Sequence, residues 1–116
     1  MRGNRVKVNQ YNQLEGFEHI KQWQTDLIIY QAGVDCHQDD PYGSKWFNTD
    51  HLYFRDKLVF EFAKRQQIPI LFVLAGGYQQ LDTLTRLHLN TFVAANEVYF
   101  SEVFSVNYDK VSHFTM

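Results

Sequence analysis

Two unbroken apolar runs, Leu27-Ile28-Ile29-Tyr30 and Ile70-Leu71-Phe72-Val73-Leu74-Ala75, punctuate an otherwise mixed chain. Neither alternates with polar residues, and runs this short without alternation predict strands covered on both faces, as in a parallel sheet. The first strand is expected at about Asp26 to Ala32. Pro69 can open the second, where a missing N–H is tolerated.

The segments between carry a helical period. Tyr11, Leu14, Phe17, Ile20 and Trp23 recur every third residue, which predicts an amphipathic helix from about Tyr11 to Gln24. Gly16 weakens that helix by roughly 1 kcal/mol relative to alanine. A second helix is expected from Thr49 or Asp50 to Gln66, capped by Asn48 or Thr49, with Leu58, Val59, Phe62 and Ala63 on its buried face. A third should run from about Gln80 to Tyr99 and bury Leu84, Leu87, Phe92, Ala95 and Val98. Gly33 to Asn48 holds Gly, Pro, Asp and Asn and is a loop by composition. Gly76 and Gly77 permit a sharp turn out of the second strand. Residues 1–10 form a polar arm without a period. The tail 100–116 alternates in places, as at Val103, Ser105 and Asn107, and is either an added strand or a loop.

Helix, strand, helix, strand, helix implies an α/β fold, a parallel βαβ core with flanking helices, in one domain over 1–116. With 116 residues the chain can bury roughly two-thirds of the surface that it exposes unfolded. The aromatic excess, 16% of residues and including Trp23, Trp46 and Phe54, is expected in core and interface. A net charge of −2 without clustered Lys or Arg excludes a nucleic-acid partner. No apolar run is long enough to span a bilayer, so no membrane partner is expected, and Arg2, Arg5 and Lys7 precede no apolar segment of signal-peptide type. Cys36 is the lone cysteine, which excludes an internal disulfide and points to a reducing, cytoplasmic setting.

Two neighbouring parallel strands deliver whatever follows their carboxyl ends into one crevice. Here the delivered groups are the Asp35 carboxylate, after Gly33-Val34, and the Tyr78 phenol, after Gly76-Gly77. The first loop packs Asp35, Cys36, His37, Asp39 and Asp40 into six positions. Carboxylate and imidazole suit a divalent metal such as zinc, although acidic loops of this kind are more often simply solvated. Cys36 reads as a small buried filler, since nothing adjacent in sequence lowers its pKa. His37 reads as a loop histidine that orients its neighbours.

Ala32-Gly33-Val34-Asp35 followed by Asp40-Pro41-x-Gly43, then Gly76-Gly77-Tyr78 and Leu87-His88-Leu89-Asn90-Thr91-Phe92, resembles the C-terminal part of the histone deacetylase family. The bacterial and class IV-like members are the most similar, and the resemblance runs from about Tyr11 to Tyr99. It implies the C-terminal part of the three-layer arginase-deacetylase fold and zinc-dependent hydrolysis of N-acetylated amines, such as acetyl-lysine or acetylpolyamine. It also implies Asp35 as a zinc ligand and Tyr78 as the phenol that donates to the oxyanion of the tetrahedral intermediate. Gly76, Gly77, Asp40 and Gly43 would support these loops. His88 is expected as a structural hydrogen-bonding residue, and His19, His51 and His113 as surface or supporting positions.

Asp35-Cys36-His37 spells an Asp-x-His, yet the family's ligating Asp-x-His lies on an earlier loop, so His37 is not read as a ligand. The family's adjacent pair of catalytic histidines has no counterpart, because His-His does not occur in the sequence. Catalytic zinc normally takes three protein ligands. The chain alone is therefore expected to bind no zinc stably and to be inactive, and an N-terminal portion of the same enzyme would complete it. The alternative is a non-catalytic remnant with a structural or oligomer-forming role. Central-type strands without the rest of their sheet predict self-association, most simply a homo-oligomer.

Overall fold

Residues 13–100 are described by the computed structural model of this protein. The expectations for the arm 1–10 and for the tail after Phe100 lie outside the described residues. Helix α1 (Gln13–Gln22), strand β1 (Ile28–Gln31), helix α2 (Thr49–Arg65), strand β2 (Ile70–Val73) and helix α3 (Leu81–Phe100) follow in the order that the periodicity predicts. The strands pair in parallel, Ile28 opposite Ile70 and Gln31 opposite Val73. The ladder continues past both ends: the Ile28 N–H donates to the Pro69 carbonyl, and the Ala32 N–H to the Val73 carbonyl, both at 2.9 Å.

Helix α2, the crossover of this βαβ unit, has defined stops at each end. The Asn48 side chain accepts the His51 N–H at 2.8 Å, and His51 Nδ1 accepts the Asn48 N–H at 3.3 Å. This is a capping box with histidine in the place usually held by Glu or Gln. At the other end Gln67 adopts φ 56°. The Ile68 N–H bonds the Ala63 carbonyl and the Gln67 N–H bonds the Lys64 carbonyl, the pair of contacts that closes a Schellman turn. Pro69 then leads straight into β2.

One face of the sheet carries the core. Tyr30, Ile70 and Phe72 pack on Phe60 from α2 and on Ala94 and Val98 from α3. Phe60 sits between the rings of Tyr30 and Phe72, edge to face, with centroids 5.9 and 5.4 Å away. A second cluster of Val34, Phe47, Leu52 and Leu87 lies beneath the loops that leave the strands. Helix α1 joins through Phe17, stacked on Phe62 at 4.2 Å.

The opposite face corrects the expectation of strands covered on both sides. Ile29, Leu71 and Val73 are 68%, 54% and 42% exposed, because α2 and α3 both cover the Tyr30 face and no described element covers the other. The predicted helical stripes are buried at Val59, Phe62, Ala63, Leu87 and Val98, but Leu58 and Phe92 are exposed, while Arg55, Asp56 and Thr91 occupy buried places on the same helices. Apolar periodicity left those three out of the buried stripes, and their burial is accommodated by hydrogen bonds to one another. Trp23, Trp46 and Phe54, expected in core or interface, all lie at the surface of this chain. Truncation of Phe60 to alanine should cost about 3–5 kcal/mol in urea unfolding. Phe54→Ala, at an exposed position, should stay within roughly 0.5 kcal/mol of the parent.

Candidate active site

The loops after β1 and β2 leave the same edge of the sheet, since the strands are parallel neighbours. They are joined by backbone. The Gly76 carbonyl accepts the Val34 N–H at 2.7 Å and the Asp35 N–H at 3.0 Å. This places the half-buried Asp35 carboxylate directly over Gly76, where an added Cβ would come within 2.4 Å of Oδ2. A Cβ on Gly77 would meet Leu84 Cδ1 at 2.4 Å and Val34 Cγ2 at 2.8 Å, and one on Gly43 would fall 1.3 Å from the Asp35 carbonyl oxygen. None of these glycines has a left-handed φ. The expected reason for Gly76-Gly77, a sharp turn, is thus replaced by another: the Asp35 carboxylate and Val34 take up the room that side chains would need.

Asp40 ties the site together. Its carboxylate is wholly buried, and Oδ1 accepts the N–H groups of Tyr42 and Gly43 at 2.9 and 3.0 Å while Oδ2 accepts the N–H of Tyr78 at 2.9 Å. Burial alone would raise its pKa; the three N–H donors outweigh it and hold the carboxyl below the ordinary carboxylate range. The same contact orients Tyr78, whose ring lies edge-on to Tyr42 at 5.4 Å and stays 55% exposed. Sequence reading placed Asp40 and Gly43 as loop support; the geometry bonds Asp40 to the Tyr78 N–H and sets Gly43 against the Asp35 carbonyl.

His37 is buried and uses both ring nitrogens. Nδ1 faces the Asp39 N–H at 3.2 Å and the Gln79 side-chain nitrogen at 3.1 Å, so it is the acceptor, and Nε2 donates to Thr49 Oγ1 at 3.0 Å. It therefore links the first loop, the start of α2 and the segment after Tyr78, as an orienting histidine does. Cys36 has a neighbour that its flanking sequence does not reveal. Arg55 Nη1 lies 3.4 Å from Sγ, yet burial dominates and raises the thiol pKa. His88 departs from expectation: its Nδ1 is buried without a hydrogen-bond partner among the described residues, and burial lowers its pKa.

Sequence reading missed a network beneath the site. Arg55 on α2 donates through Nε to Asp56 Oδ1 at 2.9 Å and through Nη1 to the Gly33 carbonyl at 2.7 Å. Asp56 also accepts the Tyr30 hydroxyl on Oδ1 and Thr91 Oγ1 on Oδ2, the latter at 2.6 Å. Burial pushes the Tyr30 phenol well above its usual pKa, so it stays a donor. The signal was available, because Leu52, Arg55, Asp56, Val59 and Phe60 share the 3–4 spacing of one helical face.

The fit to zinc is partial at most. Among the described residues no three His, Cys, Asp or Glu side chains converge, and both nitrogens of His37 are committed. Asp35 is a single carboxylate where catalytic zinc takes three protein ligands, so these residues do not fit the ion by themselves.

Asp40→Ala should leave the N–H groups of Tyr42, Gly43 and Tyr78 without their acceptor and lower stability by about 1–3 kcal/mol or more. The effect should depend on pH. The folded pKa lies below the unfolded value of roughly 3.9, so the contribution of Asp40 is complete above about pH 4 and is lost as pH falls through the folded pKa. Urea midpoints of the parent and of Asp40→Asn should therefore converge toward low pH.

Comparison with known proteins agrees with this geometry. A family model described as the histone deacetylase domain matches residues 8–94, most of the chain. Histone deacetylase 2 of Arabidopsis thaliana is 37% identical over 60 residues, which cover 52% of this chain and 16% of that protein. An uncharacterized protein of Picosynechococcus sp. is 33% identical over 81 residues, 69% of this chain and 27% of its own length. The chain thus spans well under a third of either relative. With the match over 8–94 falling on both loops and on the helices that position them, this chain belongs to the histone deacetylase family.

Proposed function

We propose that this chain supplies the carboxyl-terminal side of the catalytic crevice of a zinc-dependent deacetylase acting on N-acetylated amines such as acetyl-lysine or acetylpolyamine. One observation supports this above the others: Gly76 accepts the backbone N–H of Asp35, and Asp40 accepts that of Tyr78, so a carboxylate and a phenol are held at one mouth by the backbone that carries them. In this reading Asp35 is one of the three protein ligands of the metal. Tyr78 donates its hydroxyl to the oxyanion that develops when the acetyl carbonyl is attacked; Gly76 and Gly77 keep the space open, and Asp40 and Gly43 hold the loops. A polypeptide carrying the other ligands and the His-His acid–base pair completes the site, most directly an N-terminal portion of the same enzyme. The lone cysteine suits a cytoplasmic setting. No helix among the described residues is long and apolar enough to cross a membrane.

The chain alone, supplied with zinc, should release no acetate from an acetyl-lysine peptide above background; chelator-sensitive turnover that Asp35→Ala abolishes would contradict this assignment. Once the missing ligands are provided, Asp35→Ala should lower metal occupancy. Tyr78→Phe should leave the metal bound and reduce kcat by about 10²-fold, the scale of one oxyanion donor. Equal metal loss in both variants, read by metal analysis of the purified protein, would show that the two roles are wrongly divided.

A second reading, self-association with a structural role, is favoured by the sheet itself. Ile29, Leu71 and Val73 form an exposed apolar face, and each strand of the two-stranded sheet keeps an outer edge without a strand partner among the described residues. Light scattering should report a dimer or larger species, and Leu71→Lys should shift it toward monomer. A monodisperse monomer across a wide concentration range would remove this reading.

A further inference from the structure

We propose that Arg55 is the positioning residue for the Asp35 carboxylate, holding the Gly33 carbonyl before it and the Cys36 side chain after it from beneath; the metal-binding consequence rests on the reading of Asp35 given above. Asp35 is flanked by two Arg55 contacts. Nη1 donates to the Gly33 carbonyl at 2.7 Å, two residues before it, and lies 3.4 Å from Cys36 Sγ, one residue after it. From the other side Gly76 holds the N–H groups of Val34 and Asp35. The segment from Gly33 to Cys36 is therefore held by a guanidinium at the Gly33 carbonyl and the Cys36 sulfur and by the Gly76 carbonyl between them, and the Asp35 side chain is left to project over Gly76.

The guanidinium is itself fixed. Its Nε donates to Asp56 Oδ1 at 2.9 Å, Nη2 lies 2.8 Å from the same oxygen without a hydrogen bond among the described residues, and its carbon lies 5.8 Å from the centroid of the Tyr30 ring. Tyr30 and Thr91 hold the Asp56 carboxylate from β1 and α3. Burial works against the Arg55 cation, and its partnership with Tyr30 and Asp56 outweighs that, so the charge is kept.

A buried ion pair is weak evidence for stability, since apolar residues of similar volume often do as well. What the pair supplies here is a fixed direction. A planar guanidinium donates to Asp56 through Nε and to the loop through Nη1, two donors in a fixed relative direction that the single ammonium of lysine does not provide. Arg55 thereby ties the position of Asp35 to α2, β1 and α3 at once. It touches no reacting atom in this scheme.

Amide NMR on the full chain tests this with two readouts. Arg55→Lys keeps a cation beside Asp56 but loses the fork. It should raise hydrogen exchange at Val34 and Asp35 by about tenfold or more while the amides of α3 keep their rates. Line broadening by added Mn²⁺, a probe sensitive to weak carboxylate binding, should be centred on Asp35 in the parent, vanish in Asp35→Asn and fall several-fold in Arg55→Lys. Unchanged exchange and broadening in Arg55→Lys would overturn the proposal, as would a uniform rise in exchange through the core. If Arg55→Lys does not fold, Arg55→Met/Asp56→Asn, which removes the charges and keeps one acceptor oxygen for Tyr30 or Thr91 while its amide donates to the other hydroxyl, is read by the same criteria. Broadening that survives Asp35→Asn would instead refute the metal-facing role of Asp35, and the exchange data would still decide the clamp.

Discussion

A backbone carbonyl with two lone pairs can serve two donors, and Gly76 uses both, accepting the N–H groups of Val34 and Asp35. The geometry at the sheet edge follows from that contact. It extends the β1–β2 pairing one step beyond the regular ladder, after the Ala32 bond to Val73, so the loops separate only after Asp35 and Gly76 have met. Because the donors and the acceptor are backbone, the alignment depends on strand register more than on any side chain. The register holds Ile28 against Ile70 and Tyr30 against Phe72, and a slip of one residue would turn Tyr30 away from Phe60 and Asp56.

Two buried carboxylates do different work around this contact. Asp40 accepts three backbone N–H groups in the loops, which makes it a covalently tethered stand-in for the carbonyls that a regular element would provide. Asp56 takes side-chain donors from three elements: Tyr30 on β1, Arg55 on α2 and Thr91 on α3. The first organises the mouth of the crevice, and the second organises the layer under it. Both avoid the cost of an unpaired buried charge by being surrounded with donors. They are linked through Arg55, which reaches from Asp56 to the Gly33 carbonyl at the root of the Asp40 loop.

The uncovered side of the sheet is a different kind of constraint. Ile29, Leu71 and Val73 have the character of residues in a central strand, and their exposure here reflects which elements are present to cover them. A groove along α3 also carries apolar character: Leu74, Leu81, Leu84, Leu89 and Phe92 line an open groove of about 320 Å³ next to His88.

Local rules made much of this legible in the amino-acid order. Asn48 stops α2 at its start through its own side chain, Pro69 follows the Schellman turn at its end, and apolar runs flanked by helical periods name the βαβ unit; each of these signals acts within a few residues. The motifs ending in Asp35 and Tyr78 are local signals of the same kind. Tertiary structure alone decided the rest. It placed the charged pair Arg55-Asp56 inside an apolar face, left Phe92 and Leu58 outside it, and made Gly43 and Gly76 necessary for room around Asp35. It joined Asp40 to the Tyr78 backbone across 38 positions and Thr91 to Asp56 across 35. Propensity and periodicity describe how a residue meets its chain neighbours. Which donor a buried carboxylate finds depends on where separate elements pack, and that is set by the sum of the core contacts.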